Sequence, residues 1–185
     1  MDNNVRLQDI IDSKILNERK IFLWGQIDDD SAKHVIERLL YLEMLAPKKE
    51  IQLIINSPGG FVTSGFAIYD TMNSITSPIS TICSGLAASM GSIILSAGAK
   101  GRRFILPHAR VMIHQPSGGA RGVASDIENQ MDEIIKTKLL GAEIIAANCG
   151  RSVENVMKDF NRDHWMSAQE SITYGIVDGK IEKLI

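Results

Sequence analysis

Apolar residues follow two rhythms along this chain, short continuous runs and helical stripes, and punctuation residues separate them. Ile21-Phe22-Leu23-Trp24, closed by Gly25, predicts a strand. Asp28, Asp29 and Asp30 then precede Ser31 and a helical stripe of Val35, Ile36, Leu39, Leu40 and Leu42 that Pro47 stops. Ile51 to Ile55 predicts a second strand, broken at Asn56-Ser57-Pro58-Gly59-Gly60, and a helix follows through Ala67, Ile68 and Met72. A third strand is expected over Ile79 to Cys83 with Gly85 breaking it, then a helix within Ala87 to Ala97. Arg103 to Leu106 and Val111 to Ile113 predict two more strands.

The longest helix comes next. Ser125 and Glu128 have capping-box spacing, and the pattern runs to Asn148 with Gly150 just past its end. At 1.5 Å per residue such a helix is about 35 Å long. Ile134, Ile135, Leu139, Leu140, Ile144 and Ile145 make its apolar stripe wide. A stripe that wide serves either a helix sunk in the core or one with a second face for a neighbouring subunit. Ser167 and Glu170 form another capping box before a short helix ending at Gly175, and a last strand is expected over Lys180 to Ile185. Strands alternating with helices argue an α/β fold of packed layers, and no linker or low-complexity segment divides the chain.

Composition narrows the class. The chain has 185 residues, 44% apolar and 23% charged, which suits one folded globular domain. A net charge of -2 argues against a nucleic-acid binder. The one tight basic cluster, Lys100, Arg102 and Arg103, reads as a solvated loop or strand edge. Cys83 and Cys149 lie among small and apolar residues and read as buried thiols in a reducing compartment. Met1 to Ile10 carry charges and no apolar run, so no secretory signal is expected. Ser74 to Ala99 contains no charged residue, but Pro78 and many Ser, Thr and Gly residues favour a buried strand and helix over a membrane span.

Candidate chemistry is narrowed by what is missing. There is no P-loop pattern and no His-Glu-x-x-His, and the four histidines, His34, His108, His114 and His164, are scattered. No metal or cofactor is expected. Serine hydrolysis needs a hydroxyl, a base, an orienting carboxylate and an oxyanion hole. Ser89, between Ala88 and Met90-Gly91, is expected just inside a helix N-terminus, where free N–H groups favour an oxyanion; simple helix packing is the alternative. His114, at the end of Val111-Met112-Ile113, can reach a cleft or be satisfied locally. Asp163 is the candidate carboxylate and Asp159 its rival, and spacing does not choose between them. Gly59-Gly60 after Pro58 offers bare backbone, as part of an oxyanion hole, a peptide-binding edge or only a tight turn.

Five segments, in order, resemble the ClpP family of proteolytic subunits (peptidase family S14). They are Ile54-Ile55-Asn56-Ser57-Pro58-Gly59-Gly60, Gly85-Leu86-Ala87-Ala88-Ser89-Met90-Gly91-Ser92, Ala97-Gly98-Ala99-Lys100-Gly101-Arg102-Arg103, Met112-Ile113-His114-Gln115-Pro116, and Arg162-Asp163 before Trp165-Met166-Ser167-Ala168. The resemblance runs from about Ile11 to the C-terminus. It implies an α/β, crotonase-like fold of repeated β-β-α units in one domain over residues 1–185, with a short N-terminal segment over 1–10 and a protruding handle helix over 125–149. It implies Ser89 as nucleophile, His114 as general base, Asp163 as the orienting residue, and the backbone N–H groups of Gly60 and Met90 as oxyanion hole. It further implies a cytoplasmic serine endopeptidase of protein quality control, acting on unfolded polypeptides inside a chamber of two stacked heptameric rings. A separate AAA+ unfoldase of the ClpX, ClpA or ClpC type would deliver them.

The chain departs from the family pattern at three places. Met1 to Gln8 lacks the Arg-Gly-Glu-Arg-like stretch of the pore hairpin, Asn161 replaces an acidic residue before the Arg-Asp pair, and Val123 replaces a glutamine after Gly122. The last two fall at the expected ring–ring contact. They motivate an alternative expectation, a structural or partner-dependent subunit whose ring stacks on that of a second ClpP-type chain. Competing classes are an acyl-CoA enzyme of the same broad fold, which needs no Ser-His-Asp set, and a membrane-bound serine peptidase, which needs residues 74–99 to span.

Overall fold

The computed structural model describes residues 6–184. Among them are seven helices and seven strands, in the order α1 (Leu7–Asn17), β1 (Lys20–Trp24), α2 (Asp29–Leu45), β2 (Ile51–Ser57), α3 (Val62–Ser74), β3 (Ile79–Ala88), α4 (Met90–Ser96), β4 (Arg103–Ile105), β5 (Arg110–Ile113), α5 (Ala124–Cys149), α6 (Val153–Asp159), β6 (His164–Met166), α7 (Ala168–Tyr174) and β7 (Gly179–Lys180). The fold is mixed α/β. One path of the sheet runs β1-β2-β3-β4-β7, all parallel; β5 pairs with β3 in parallel and β6 with β5 antiparallel. β2 is buried almost throughout, so its near-continuous apolar run fits a strand covered on both faces.

Local chemistry sets the element boundaries. Asp28 caps α2: its side chain accepts from Ser31 N–H at 2.8 Å and its own N–H donates to Ser31 Oγ at 2.9 Å. α2 stops at Leu45, because Pro47 forces Ala46 out of the helical region. Its last turn holds no basic residue, yet its C-terminal carbonyls are not left bare. The buried Arg19 donates to the carbonyls of Leu42 (2.9 Å), Lys49 (2.8 Å) and Glu50 (2.9 Å), closing the α2–β2 turn from below. At the other end of the chain the Ser167–Glu170 capping box opens α7 as its spacing predicts, and Gly175 ends it in the left-handed conformation.

Several expectations are corrected. Gly85 does not break β3. With φ at 105° it bends the strand, and the pairing to β2 shifts from Ile55↔Cys83 to Ser57↔Ala87. Asn56 Oδ1 fills the bend by accepting from Leu86 N–H at 3.1 Å. Beyond the bend the strand takes β5 as neighbour. Ala87 and Ala88 are therefore strand, and the following helix is only Met90–Ser96. The capping box at Ser125 does not form: α5 begins at Ala124 with Val123 as an N-cap that offers no side-chain acceptor. Gln130 ties the preceding loop down instead, bonding Arg121 N–H at 3.2 Å and Arg121 carbonyl at 3.1 Å. Arg103 is buried rather than solvated, paired with Asp178. Cys83 is buried, but Cys149 only partly. Helices α1 and α6 and strand β6 are not anticipated by the sequence reading. The last strand is two residues long; Ile185 and the first five residues of the expected N-terminal segment lie outside the described residues.

The core lies between the sheet and helices α2, α3, α4 and the C-terminal half of α5. α5 has 26 residues, about 39 Å at 1.5 Å each. Its wide stripe divides along its length. Gly141, Ala142, Ile145 and Ala146 are buried, whereas Ile127, Met131, Ile135, Leu139 and Leu140 face solvent. The uncharged stretch over 74–99 runs through β3 and α4, and no helix of the described residues is long and apolar enough to cross a membrane.

Candidate active site

Ser89 is the single residue between β3 and α4, at φ 53° and ψ -123°. It sits at the N-cap, one step outside the first turn rather than just inside it. A positive φ is costly for a residue with a Cβ, and persists where the surroundings over-determine it. Here they do: Ser89 N–H donates to Met112 carbonyl at 2.9 Å, and Ser89 carbonyl accepts from Ser92 Oγ at 2.6 Å and Ser92 N–H at 2.9 Å. The Ser89 side chain makes no capping bond. The backbone is pinned and the hydroxyl is left available.

The Pro58-Gly59-Gly60 segment passes directly against this elbow. A Cβ at Gly59, where φ is 93°, would lie 2.7 Å from Ser89 Cβ, 2.8 Å from Ala88 O and 3.0 Å from Met90 N. Ser57 Oγ holds the turn by accepting from Gly59 N–H at 3.0 Å. Gly60 is pressed on Ile27, whose N–H donates to Gly59 carbonyl at 2.9 Å and whose carbonyl accepts from Phe61 N–H at 2.8 Å; a side chain at 60 would run into Ile27 O. Bare backbone is thus required here by close approach, and a turn alone does not explain it. Met90 N–H begins α4, where first-turn donors have no intrahelical partner.

The sheet brings the histidine and the carboxylate together. β5 and β6 are antiparallel with Ile113 opposite His164, so the next residues outward, His114 and Asp163, face each other across 49 positions of sequence. His114 Nδ1 lies 3.1 Å from Asp163 Oδ1. The rival Asp159 is engaged elsewhere: its Oδ2 accepts from Tyr174 Oη at 2.9 Å, and its Oδ1 is 4.0 Å from His164 Nδ1. Burial, and then the bond to Asp159, push the Tyr174 hydroxyl up, so it remains a donor. Gln115 N–H donates to Phe160 carbonyl at 3.0 Å, fastening the Asp163 segment beside His114.

Ser89 and His114 line one small cavity, walled by Val62, Phe66, Ile93 and Phe160. Among the hydrogen bonds of the described residues none joins Ser89 Oγ to His114. A second, open groove leads from His114 past Pro116, Gly118 and Asp163 to Met131 and Ile134 on α5. The 3.1 Å contact puts Nδ1 on the Asp163 carboxylate and leaves Nε2 as the ring nitrogen without a protein hydrogen-bond partner among the described residues. Burial pushes the Cys83 thiol up to about 12 and the Cys149 thiol up to about 11, so neither is set up as a nucleophile. Among the described residues no group of three His, Cys, Asp or Glu side chains is placed to hold a metal ion.

The sequence reading names Ser89, His114, Asp163, Gly60 and Met90, and the structure gathers them at one end of β3, β5 and β6. It does not single out Met112, whose carbonyl pins the serine, whereas Gly59, which makes the closest approach to it, is offered there with Gly60 as bare backbone. A comparison with protein-family models matches residues 2–183 to the family described as Clp protease.

Proposed function

The chain belongs to the Clp protease family, a family of peptidases, and we propose that it is a serine endopeptidase with Ser89 as nucleophile, His114 as general base and Asp163 as the carboxylate that orients it. The 3.1 Å contact between His114 Nδ1 and Asp163 Oδ1, at a cavity that also holds Ser89, carries this reading. Ser89 Oγ attacks the scissile carbonyl while His114 Nε2 takes its proton. The oxyanion is received by the N–H groups of Gly60 and Met90. His114 returns the proton to the leaving amine, and water, activated by the same nitrogen, releases the acyl group from Ser89. Catalytic hydrogen bonds commonly tighten only when substrate is bound, so the missing Ser89–His114 bond is compatible with this chemistry.

The whole chain acts as one domain and assembles through α5. Its exposed Met131, Ile135 and Leu139 supply an apolar handle for a second ring, two heptamers enclosing a chamber in the cytoplasm. Unfolded polypeptides reach that chamber from an AAA+ unfoldase of the ClpX, ClpA or ClpC type. A second reading, a subunit that needs a different ClpP-type ring to become active, is favoured by Asn161 and Val123 and by the lack of a Ser89–His114 hydrogen bond among the described residues.

A fluorophosphonate probe tests both readings, because only a serine activated by its base reacts quickly. Labelling of the isolated protein at Ser89, abolished in Ser89→Ala, supports the first. Labelling that emerges only on mixing with a second ClpP-type chain supports the second. No labelling in either case refutes the serine mechanism.

A further inference from the structure

Asp163 is aimed by a short and thinly anchored piece of chain. Its carboxylate is 58% exposed and, among the described residues, bonds no side chain but His114. It ends the four-residue turn Phe160 to Asp163 that leads from α6 into β6, a three-residue strand whose one sheet neighbour is β5. The residues flanking that turn, Asp159 and His164, converge on Tyr174 of α7. Asp159 Oδ2 accepts from Tyr174 Oη at 2.9 Å, Asp159 Oδ1 lies 4.0 Å from His164 Nδ1, and the His164 and Tyr174 rings are 5.7 Å apart. Tyr174 is itself held. It is buried, Arg151 stacks on its ring with Cζ 3.8 Å from the centroid, and Arg151 Nε donates to its carbonyl at 2.8 Å. Helix energetics alone oppose this arrangement. Asp159 is the last residue of α6, where the helix dipole disfavours a carboxylate, and Lys158 beside it pairs with Glu154 instead.

We propose that Asp159 and Tyr174 are positioning residues: their hydrogen bond clasps the turn that carries Asp163 and so holds its carboxylate against His114 Nδ1. The proposal rests on the serine-endopeptidase reading above. Released from Tyr174, the turn keeps Gln115 N–H on Phe160 carbonyl at 3.0 Å as a tie, and the exposed Asp163 side chain is free to swing into solvent. Asp159, His164 and Tyr174 line a cleft that shares no residue with the cavity holding Ser89 or with the groove past Asp163. Substitutions in the clasp therefore leave the walls that would bind substrate as they are, and act on the rate of the chemistry through Asp163.

A peptidyl diphenyl phosphonate tests this on the full chain. Ser89 Oγ displaces phenol and bonds to phosphorus, and time courses by intact mass at several concentrations separate the maximal rate from the half-saturating concentration. Tyr174→Phe keeps the ring under Arg151 and removes only the donor. Its maximal rate should fall on the order of 10-fold, with the half-saturating concentration unchanged. Asp159→Ala should fall equally, and Asp159→Asn, which keeps an acceptor for Tyr174, should recover most of that loss. In an Asp163→Asn background Tyr174→Phe should slow the reaction no further, since the carboxylate it positions is already gone. A parent-like rate in Tyr174→Phe overturns the proposal and leaves the mechanism standing. So does an equal fold-loss in the Asp163→Asn background, which would assign Tyr174 to general stability, and so does a change in the half-saturating concentration alone. Asp159→Asn as slow as Asp159→Ala would also overturn it, because the bond to Tyr174 would then not be what matters. Absence of any Ser89 adduct in the parent removes the mechanism and the proposal together.

Discussion

Arg103 and Asp178 form a two-pronged ion pair across 75 positions of sequence, with Nε 2.9 Å from Oδ2 and Nη2 2.5 Å from Oδ1. Arg103 Nη1 also donates to Asn148 carbonyl at 2.8 Å, so one buried guanidinium ties β4 to the end of α5 and to the approach to β7. Removing one partner of a buried pair strands the other charge and costs about 3–5 kcal/mol. Asp178→Asn should therefore lower the unfolding midpoint by roughly 6–20 °C in a chain of this size. Arg103→Met combined with Asp178→Leu should recover much of that loss. Calorimetry of the single and double variants checks both statements.

Acid should weaken the fold through the carboxylates held below their ordinary values, Asp28, Glu43, Glu170 and Asp178, of which Asp178 and Glu43 tie together distant parts of the chain. Burial raises the Asp178 carboxyl, but its Arg103 bonds outweigh this and hold it below its ordinary 3.8. Glu43 accepts from Ser77 and Thr76 and is lowered from 4.5 to about 2. All of these folded-state values lie below the unfolded ones, so at low pH the unfolded chain binds more protons. Their stabilisation is complete above about pH 5 and is lost as pH falls through 4.5 towards 2. Urea midpoints over that range should slope upward with pH. Glu43→Gln should flatten the slope, differing from the parent most above pH 4.5 and least near pH 2.

The folding of this chain is legible in its sequence wherever one local cause suffices. β1, β2 and α3 follow from apolar runs and stripes, α2 from Asp28 and Pro47, α7 from Ser167 and Glu170. α1 escapes because none of its residues is fully buried and only Leu16 packs against the core, too little to make a stripe. β6 escapes because three residues with no alternation carry no period; only pairing with β5 makes it a strand. The site divides similarly. Its residue types are readable, but the choice of Asp163 over Asp159 depends on the Ile113↔His164 register, which no spacing encodes. The bend at Gly85 is misread as a break because its compensating acceptor, Asn56 Oδ1, is 29 positions away.

Gly59→Ala should inactivate without unfolding. The new methyl would meet Ser89 Cβ at 2.7 Å and Ala88 O at 2.8 Å, at a φ of 93° that alanine resists. Displacement of the elbow should slow fluorophosphonate labelling of Ser89 by on the order of 100-fold, and strain should cost about 1–3 kcal/mol. Gly25→Ala is the control, with φ 82° and nothing within 4 Å. It shares the backbone strain but should label at the parent rate. Equal labelling of both variants would show that the 59–60 backbone does not set the serine.

Thiol reactivity should follow burial. With Cys149 pushed up to about 11 and Cys83 to about 12, both folded thiols should react with Ellman's reagent at pH 8 on the order of 100-fold more slowly than free cysteine. The half-buried Cys149 should react first. Urea should bring both to the free rate. Mass mapping of the first modified cysteine gives the order, and early modification of Cys83 would contradict the packing of β3.

Met131, Ile135 and Leu139 stand four residues apart on α5, one stripe on one face, each between 44% and 59% exposed. Little of the subunit's own core rests on them, so Ile135→Glu should change subunit stability by less than about 0.5 kcal/mol. If that stripe is the surface on which two rings meet, a glutamate placed in it is buried without a partner in the stacked assembly. The expected outcome is a halved particle mass by sedimentation, with secondary structure and unfolding temperature of the separated rings close to the parent's. Leu139→Glu should do the same, and the two together should add nothing once the rings have parted. Retention of full mass in both would place the contact elsewhere and leave the apolar half of α5 without an occupant. Loss of mass accompanied by a large fall in unfolding temperature would mean that the stripe serves the subunit's own fold, against the exposure seen here.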